Sequence, residues 1–230
     1  MPVSNRLLLK TPAEELRLVE PHLEPVELKF KQVLAEPNES IKHFYFVDSG
    51  VVSMVNEPDD GEVVEFATVG PEGLAGIHAL LGVASIPSKI LVQIPGFGRR
   101  AEIKQLVSLF DKTPKLQQML MRYTVALMNQ IAQGTSCNRL HEVQERCARW
   151  LLQTHDRVEG DNFPLTQEFL SQMLGVHRPT VSVAAGVLQK AGLIEYERGT
   201  VTIVNRRGLE AASCSCYKII LREYERLVGA

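Results

Sequence analysis

Between Val26 and Ile103 apolar and polar positions follow a period of two. Val26, Leu28 and Phe30 alternate with Glu27, Lys29 and Lys31, and then come HFYFVDSGVVSMV, EVVEFATV and KILVQI, each bounded by Gly, Pro or Asp. Short runs of this kind between turn formers predict strands. Asp60-Gly61, between two of the runs, predicts a hairpin turn, because Gly, Asn and Asp adopt positive φ at little cost. Several short strands at this spacing predict a β-barrel or a double-sheet roll.

The period lengthens at Thr113-Pro114. A threonine able to cap and a proline at the first helical position predict a helix start, and the pattern then runs without Gly or Pro to Gln133. Leu116, Leu120, Tyr123, Leu127 and Ile131 form one apolar stripe, and Met121, Val125, Met128 and Ala132 form a second on a neighbouring face. One stripe is enough to dock on the β-domain, so two imply a further cover. The simplest is the same helix of a second copy, packed as a coiled coil. The interface of that homodimer is assigned to Leu116, Leu120, Tyr123, Leu127 and Ile131; the alternative is a helix buried inside one large domain. After Gly134 a second helical pattern, NRLHEVQERCARWLLQTH, leads to the loop EGDNFP.

From Leu165 the chain reads LTQEFLSQMLGVHRPTVSVAAGVLQKAGLIEYERGTVTIVN. Thr166 can cap a short helix, Gln167 to Leu174, with Phe169, Leu170, Met173 and Leu174 on one face. Gly175 suits a sharp turn and Val176 an apolar plug, after which a helix from Arg178 to about Lys190 buries Val181, Ala184, Ala185, Leu188 and Ala191. Arg178, Pro179, Ser182 and Val183 are left facing outward. Proline fits there because the amide hydrogen it lacks would have no partner in a first helical turn. An arginine at that place can donate two parallel hydrogen bonds to O6 and N7 of guanine, and helix-turn-helix proteins present the start of their second helix to base edges. Arg178, Pro179 and Ser182 are therefore the expected base-reading positions. Thr166 and Thr180 at helix starts are expected on phosphate oxygens, as is Arg198 at the tip of the hairpin IEYERGTVTIVN.

Composition narrows the class. Over 230 residues, 45% hydrophobic and 23% charged side chains suit an ordinary globular protein of one or two domains. No apolar run is long enough to cross a membrane and no signal peptide is visible, so the protein is expected in the cytoplasm. The net charge is only −2. Residues 1–112 hold 11 Lys/Arg against 16 Asp/Glu, and the remainder 14 against 11, so an anionic partner would meet the second half. Cys137, Cys147, Cys214 and Cys216 make no C-x-x-C pair and read as reduced, buried thiols, with no metal expected. A redox-responsive regulator acting through them is the alternative. His141-Glu142-Val143-Gln144-Glu145 resembles half of a zinc protease helix but has Glu145 where the second His would stand, which argues against an enzyme.

With these motifs in order, the whole chain resembles the CRP/FNR family of transcriptional regulators, through the β-roll, long helix, VHRPTVS and CSCY near the C-terminus. The resemblance implies an α+β fold: a cyclic-nucleotide-binding-like sensor roll (a double-stranded β-helix) over residues 1–112, a dimerisation helix over 113–137 and a winged helix-turn-helix DNA-binding domain over 138–230. It implies a homodimer on a palindromic site in double-stranded DNA, with RNA polymerase as a further partner. It also implies a guanine-reading role for Arg178, whereas Pro179 stands where the family commonly has Glu. Cyclic-nucleotide binders of the family carry Gly-Glu and, about ten residues later, Arg-Ser. Here LAGIHALLGVASIPSKILV keeps Gly76 but has Ile77 for the Glu and Pro87-Ser88 for Arg-Ser, while Ile131 and Ala132 replace hydroxyl residues on the long helix. A buried phosphate would lack its arginine, so cyclic AMP is not the expected effector. Gly76, Ile77, His78, Pro87, Ser88 and Ile131 are the expected pocket positions for an effector of unknown identity, and no cofactor is expected.

Overall fold

The computed structural model describes residues 3–58 and 63–229; the Asp60-Gly61 turn lies outside them. Its N-terminal part opens with two short helices that the strand pattern does not announce, α1 (Arg6–Leu9) and α2 (Ala13–Val19). The buried Asn5 starts α1 by accepting from the amides of Leu7 and Leu8, while its own amide donates to the carbonyls of Val47 and Gly73.

Strands β1 (Glu24–Leu28), β2 (Val33–Ala35), β3 (His43–Val47), β4 (Val51–Asn56), β5 (Val64–Val69), β6 (Leu74–Ala75), β7 (Lys89–Ile94) and β8 (Gly96–Glu102) follow. They form two four-stranded sheets, β1-β8-β3-β6 and β2-β7-β4-β5, so the architecture is a double-sheet roll and not a closed barrel. Antiparallel registers such as Tyr45↔Arg100 and Phe44↔Ala101 turn Phe44 and Phe46 to one face, and Phe44, Phe46, Val47, Val52, Met54 and Val92 are all buried. Phe30, read as the end of the first alternating strand, lies beyond β1 and is exposed.

After α3 (Ile103–Ser108) comes the long helix α4 (Pro114–Leu140), 27 residues that run straight through Gly134, past the expected end. Asn138 to Leu140 belong to it, and the next helix, α5 (Val143–His155), starts only after a break at which Glu142 and Glu145 form a reciprocal capping box. Thr113 does not cap α4: its hydroxyl donates back to the Leu109 carbonyl, and the amides of Lys115 and Leu116 are taken by the carboxylate of the buried Glu15 at 3.0 and 2.8 Å.

The remaining elements are β9 (Asn162–Pro164), α6 (Gln167–Leu174), α7 (Arg178–Lys190), β10 (Ile194–Glu197), β11 (Thr200–Ile203), α8 (Arg206–Ala212) and α9 (Cys216–Val228). Strands order as β10-β11-β9, so the expected hairpin gains a third strand, anchored by the buried Phe163 opposite Val201. The chain divides into two compact units, one of 1–54, 68–128 and 223–230, the other of 55–67 and 129–222.

The stripes of α4 separate cleanly. Leu116, Leu120, Tyr123 and Leu127, assigned from the pattern to a dimer interface, are 0–3% exposed within the single chain and present nothing to a second copy. Ile131 is half-buried. The face left open is the other stripe, with Met121, Val125 and Met128 at 37%, 44% and 61% exposure and Ala132 exposed beside them. No helix among the described residues is long and apolar enough to cross a membrane.

Candidate nucleic-acid interface and a buried thiol cluster

Helices α6 and α7 meet at a turn built as the sequence predicts. Thr166 accepts from the Phe169 amide at 3.1 Å and starts α6. Gly175 ends it at φ +60°, a left-handed conformation that a side chain would strain. Val176 then lies half-buried between the helices. Val181, Ala184, Ala185 and Leu188 pack inward from α7, whereas Ala191, expected with them, is exposed just past the helix end. Arg146 of α5 is buried and donates through Nη2 to the Leu174 carbonyl, which satisfies an orphan acceptor at the end of α6.

The start of α7 is the open face. Arg178, Pro179 and Thr180 are all exposed, and Val183 stands out at 69%. Ser182, read as a base contact, is half-buried; its hydroxyl lies 2.7 Å from Gln167 Oε1 and 3.2 Å from the Arg178 carbonyl. It ties α7 to α6 and so holds the arginine-bearing turn in place.

The wing turns tightly at Arg198-Gly199, both at positive φ (+49° and +79°), between paired Glu197 and Thr200. This is the two-residue primed turn that suits the twist of antiparallel strands. Arg198 is exposed at its tip, and the Gly199 carbonyl accepts from the Leu165 amide at 2.7 Å, joining the wing to the residue before Thr166. Inside the wing, the hydroxyl of Tyr196 is buried without a hydrogen-bond partner, and burial pushes its pKa up to about 12. A contact invisible in the sequence lies nearby: Trp150 Nε1 of α5 donates to Glu65 Oε1 at 2.7 Å.

The expected effector positions differ in exposure. Gly76 is left-handed at φ +90°, where an added Cβ would meet the His43 carbonyl; Ile77 and Ser88 are buried and Pro87 is exposed. His78 has its Nδ1 buried with no hydrogen-bond partner, and burial lowers its pKa by disfavouring the charged ring. A cavity of about 540 Å³ does open in the same unit, walled by Ile41, His43, Ala79, Val83, Ala84 and Ile103, and none of the expected positions lines it.

Three of the four cysteines converge. Cys137 and Cys214 place their sulfurs 3.4 Å apart, Cys216 Sγ lies 3.5 Å from His141 Nδ1, and Gln133 Nε2 donates to Cys216 at 3.1 Å. The hydrogen bond from Cys214, helped by the charge of Arg149 and by His141, holds the Cys137 thiol down to about 5, while donating that bond pushes Cys214 up. Cys147 is buried apart from them, and desolvation raises it to about 12. No C-x-x-C spacing marks this cluster, because its halves come from residues 137–141 and 214–216.

Residues 145–212 match the Crp-like helix-turn-helix domain. No curated protein sequence matches the chain. Solved structures do. FixK2 from Bradyrhizobium japonicum is 18% identical with a TM-score of 0.71, over 84% of this chain and 98% of its own. The c-di-GMP-responsive global regulator CLP from Xanthomonas campestris is 19% identical with a TM-score of 0.64, over 84% and 99%. A CRP-family transcriptional regulator from Thermus thermophilus is 19% identical with a TM-score of 0.67, over 82% and 96%. This chain thus has the fold of CRP/FNR-type transcriptional regulators and carries a Crp-like helix-turn-helix domain over residues 145–212.

Proposed function

We propose that this protein is a cytoplasmic, sequence-specific DNA-binding regulator and not an enzyme. It acts as a homodimer on a palindromic site and responds through its β-roll to an effector other than cyclic AMP. The observation that carries the reading is the exposed first turn of α7, where Arg178 stands on a helix whose opposite side is packed by Val181, Ala184, Ala185 and Leu188. A cation so placed, at the exposed start of a helix whose other side is a buried scaffold, fits a guanine edge in the major groove. Val183, exposed one turn further on, suits a thymine methyl, and Pro179 excludes a hydrogen-bonding reader at its base pair. Thr166, Thr180 and Arg198 lie around this turn with polar groups suited to backbone phosphates.

Residues 1–112 serve as the sensor, 113–137 as the dimer helix and 138–230 as the DNA-binding part. On α4 the exposed positions Gln118, Met121, Val125, Met128, Ala132 and Thr135 recur at alternating spacings of three and four, the seam of a two-stranded coiled coil. Two copies joined there would offer two recognition helices to half-sites about 34 Å apart, with RNA polymerase as the partner at a promoter. The absence of an arginine in the 76–88 segment supports an effector without a cyclic phosphate.

Selection of bound duplexes from a random pool, followed by titration, tests this. The wild-type protein is expected to recover a palindrome with and without cyclic AMP. Arg178→Ala is expected to cost ~1 to 3 kcal/mol on that site and to relax preference at one guanine per half-site. Equal losses on specific and random DNA would remove Arg178 from base reading, and a palindrome recovered only with the nucleotide would overturn the effector reading.

A further inference from the structure

The thiol cluster has the composition and size of a metal site. Cys137 and His141 are four residues apart, one helical turn, so they share a side at the end of α4. Cys214 and Cys216 flank Ser215 where the chain passes from α8 into α9. The three sulfurs and a ring nitrogen of His141 all lie within 4.8 Å of one another. The cysteines are free, and their closest pair at 3.4 Å is well beyond the ~2.05 Å of a disulfide. Around a tetrahedral zinc ion with Zn–S distances of ~2.3 Å, neighbouring sulfurs stand about 3.8 Å apart, so these donors reach that geometry by moving about an ångström or less.

The surroundings suit such a centre. Three thiolates, one neutral imidazole and a divalent cation carry a net charge of −1. Arg146 and Arg149 lie buried beside the cluster, each with an Nε that finds no hydrogen-bond acceptor. Gln133, donating to Cys216, supplies the kind of outer hydrogen bond that orients a metal-bound thiolate. The three cysteines are 0–3% exposed, while His141 is half-exposed and leaves a way in. Soft sulfur donors select zinc-like ions over magnesium or calcium, and four protein donors leave no open position for catalysis.

We propose that Cys137, His141, Cys214 and Cys216 bind one zinc ion per chain, which joins the end of α4 to the corner between α8 and α9. Binding releases to solvent whatever protons the three sulfurs still hold and transfers no electrons. The site does not depend on the DNA-binding reading.

The test is titration of the reduced, chelator-treated full-length protein with cobalt(II) chloride, then with zinc chloride. Expected are one cobalt per chain with the absorption of tetrahedral thiolate-bound cobalt, its displacement by zinc, and a higher melting temperature with either metal. Cys214→Ser and His141→Ala should each weaken cobalt binding at least tenfold, with circular dichroism confirming that they fold, and Cys147→Ser should not. Wild-type protein that takes up no cobalt, or Cys147→Ser losing uptake as fully as Cys214→Ser, would overturn the proposal. Formation of a Cys137–Cys214 disulfide on mild oxidation of protein that never takes metal would overturn it in favour of a thiol switch.

Discussion

Arg198 occupies a backbone conformation that few side chains favour. Its left-handed backbone costs an L-amino acid roughly 1–2 kcal/mol, and glycine or asparagine would occupy the place at less expense. The proposed contact to phosphate would give an exposed arginine a reason to stand there. Arg198→Gly is expected to leave stability unchanged or raise it by up to about 1 kcal/mol, while the slope of log affinity against log salt falls by about one per wing. Chemical denaturation and binding titrations over a salt series measure both, and lower stability with an unchanged slope would make Arg198 a structural turn residue. Ser182 illustrates the opposite case. The pattern faces it outward, yet its hydroxyl is engaged by Gln167 of the neighbouring helix, so its proposed service to recognition is to hold Arg178's turn in place.

At the scale of elements, the long helix depends on a side chain from far upstream. Both carboxylate oxygens of Glu15 accept amides of the first turn of α4, where the helix dipole also favours a negative charge. Thr113-Pro114 reads as a complete start signal and is only half of one. Glu15→Ala would leave two donors without acceptors in a buried setting, and a loss of about 2 kcal/mol in urea unfolding is expected. Glu15→Gln, which keeps one accepting oxygen, should lose about half as much. A Glu15→Ala protein as stable as wild type would mean that water takes over the capping. Gly134, which the pattern suggests as a boundary, did not stop the helix because glycine in a helix costs only about 1 kcal/mol, less than the surrounding turns supply.

For the whole molecule, the informative feature is which stripe of α4 is left over. Once Leu116, Leu120, Tyr123 and Leu127 are taken up within the chain, Met121, Val125 and Met128 form an apolar line facing solvent. A line of that kind on the exposed side of a helix favours a partner of the same shape. Met128→Glu would set like charges against each other across a two-fold axis. The expected outcome in sedimentation at micromolar concentration is a dimer for wild type and a monomer for the variant, whose affinity for the full palindrome drops to that of a half-site. A wild-type monomer would remove the seam, and with it the palindrome.

What the sequence determined by itself was everything carried by short-range signals. Short apolar and alternating runs placed β1, β3, β4, β5, β7 and the β10–β11 hairpin but not β2, β6, β8 or β9, the 3.6 period placed α4 and α7, and Thr166, Gly175 and the Arg198-Gly199 pair marked starts and turns that need only a few neighbours to act. The helix-turn-helix was legible for that reason, with Arg178 on its open side. Tertiary structure decided what depends on the path of the chain between distant residues. It chose which of two equally apolar stripes is covered, put Glu15 at the start of α4, paired Glu65 with Trp150, and brought Cys137 and His141 to Cys214 and Cys216. Both stripes satisfy the same periodicity, and a cluster assembled across some 77 residues shows only its two separate halves as local spacings, because the halves are neighbours only after the chain between them has folded.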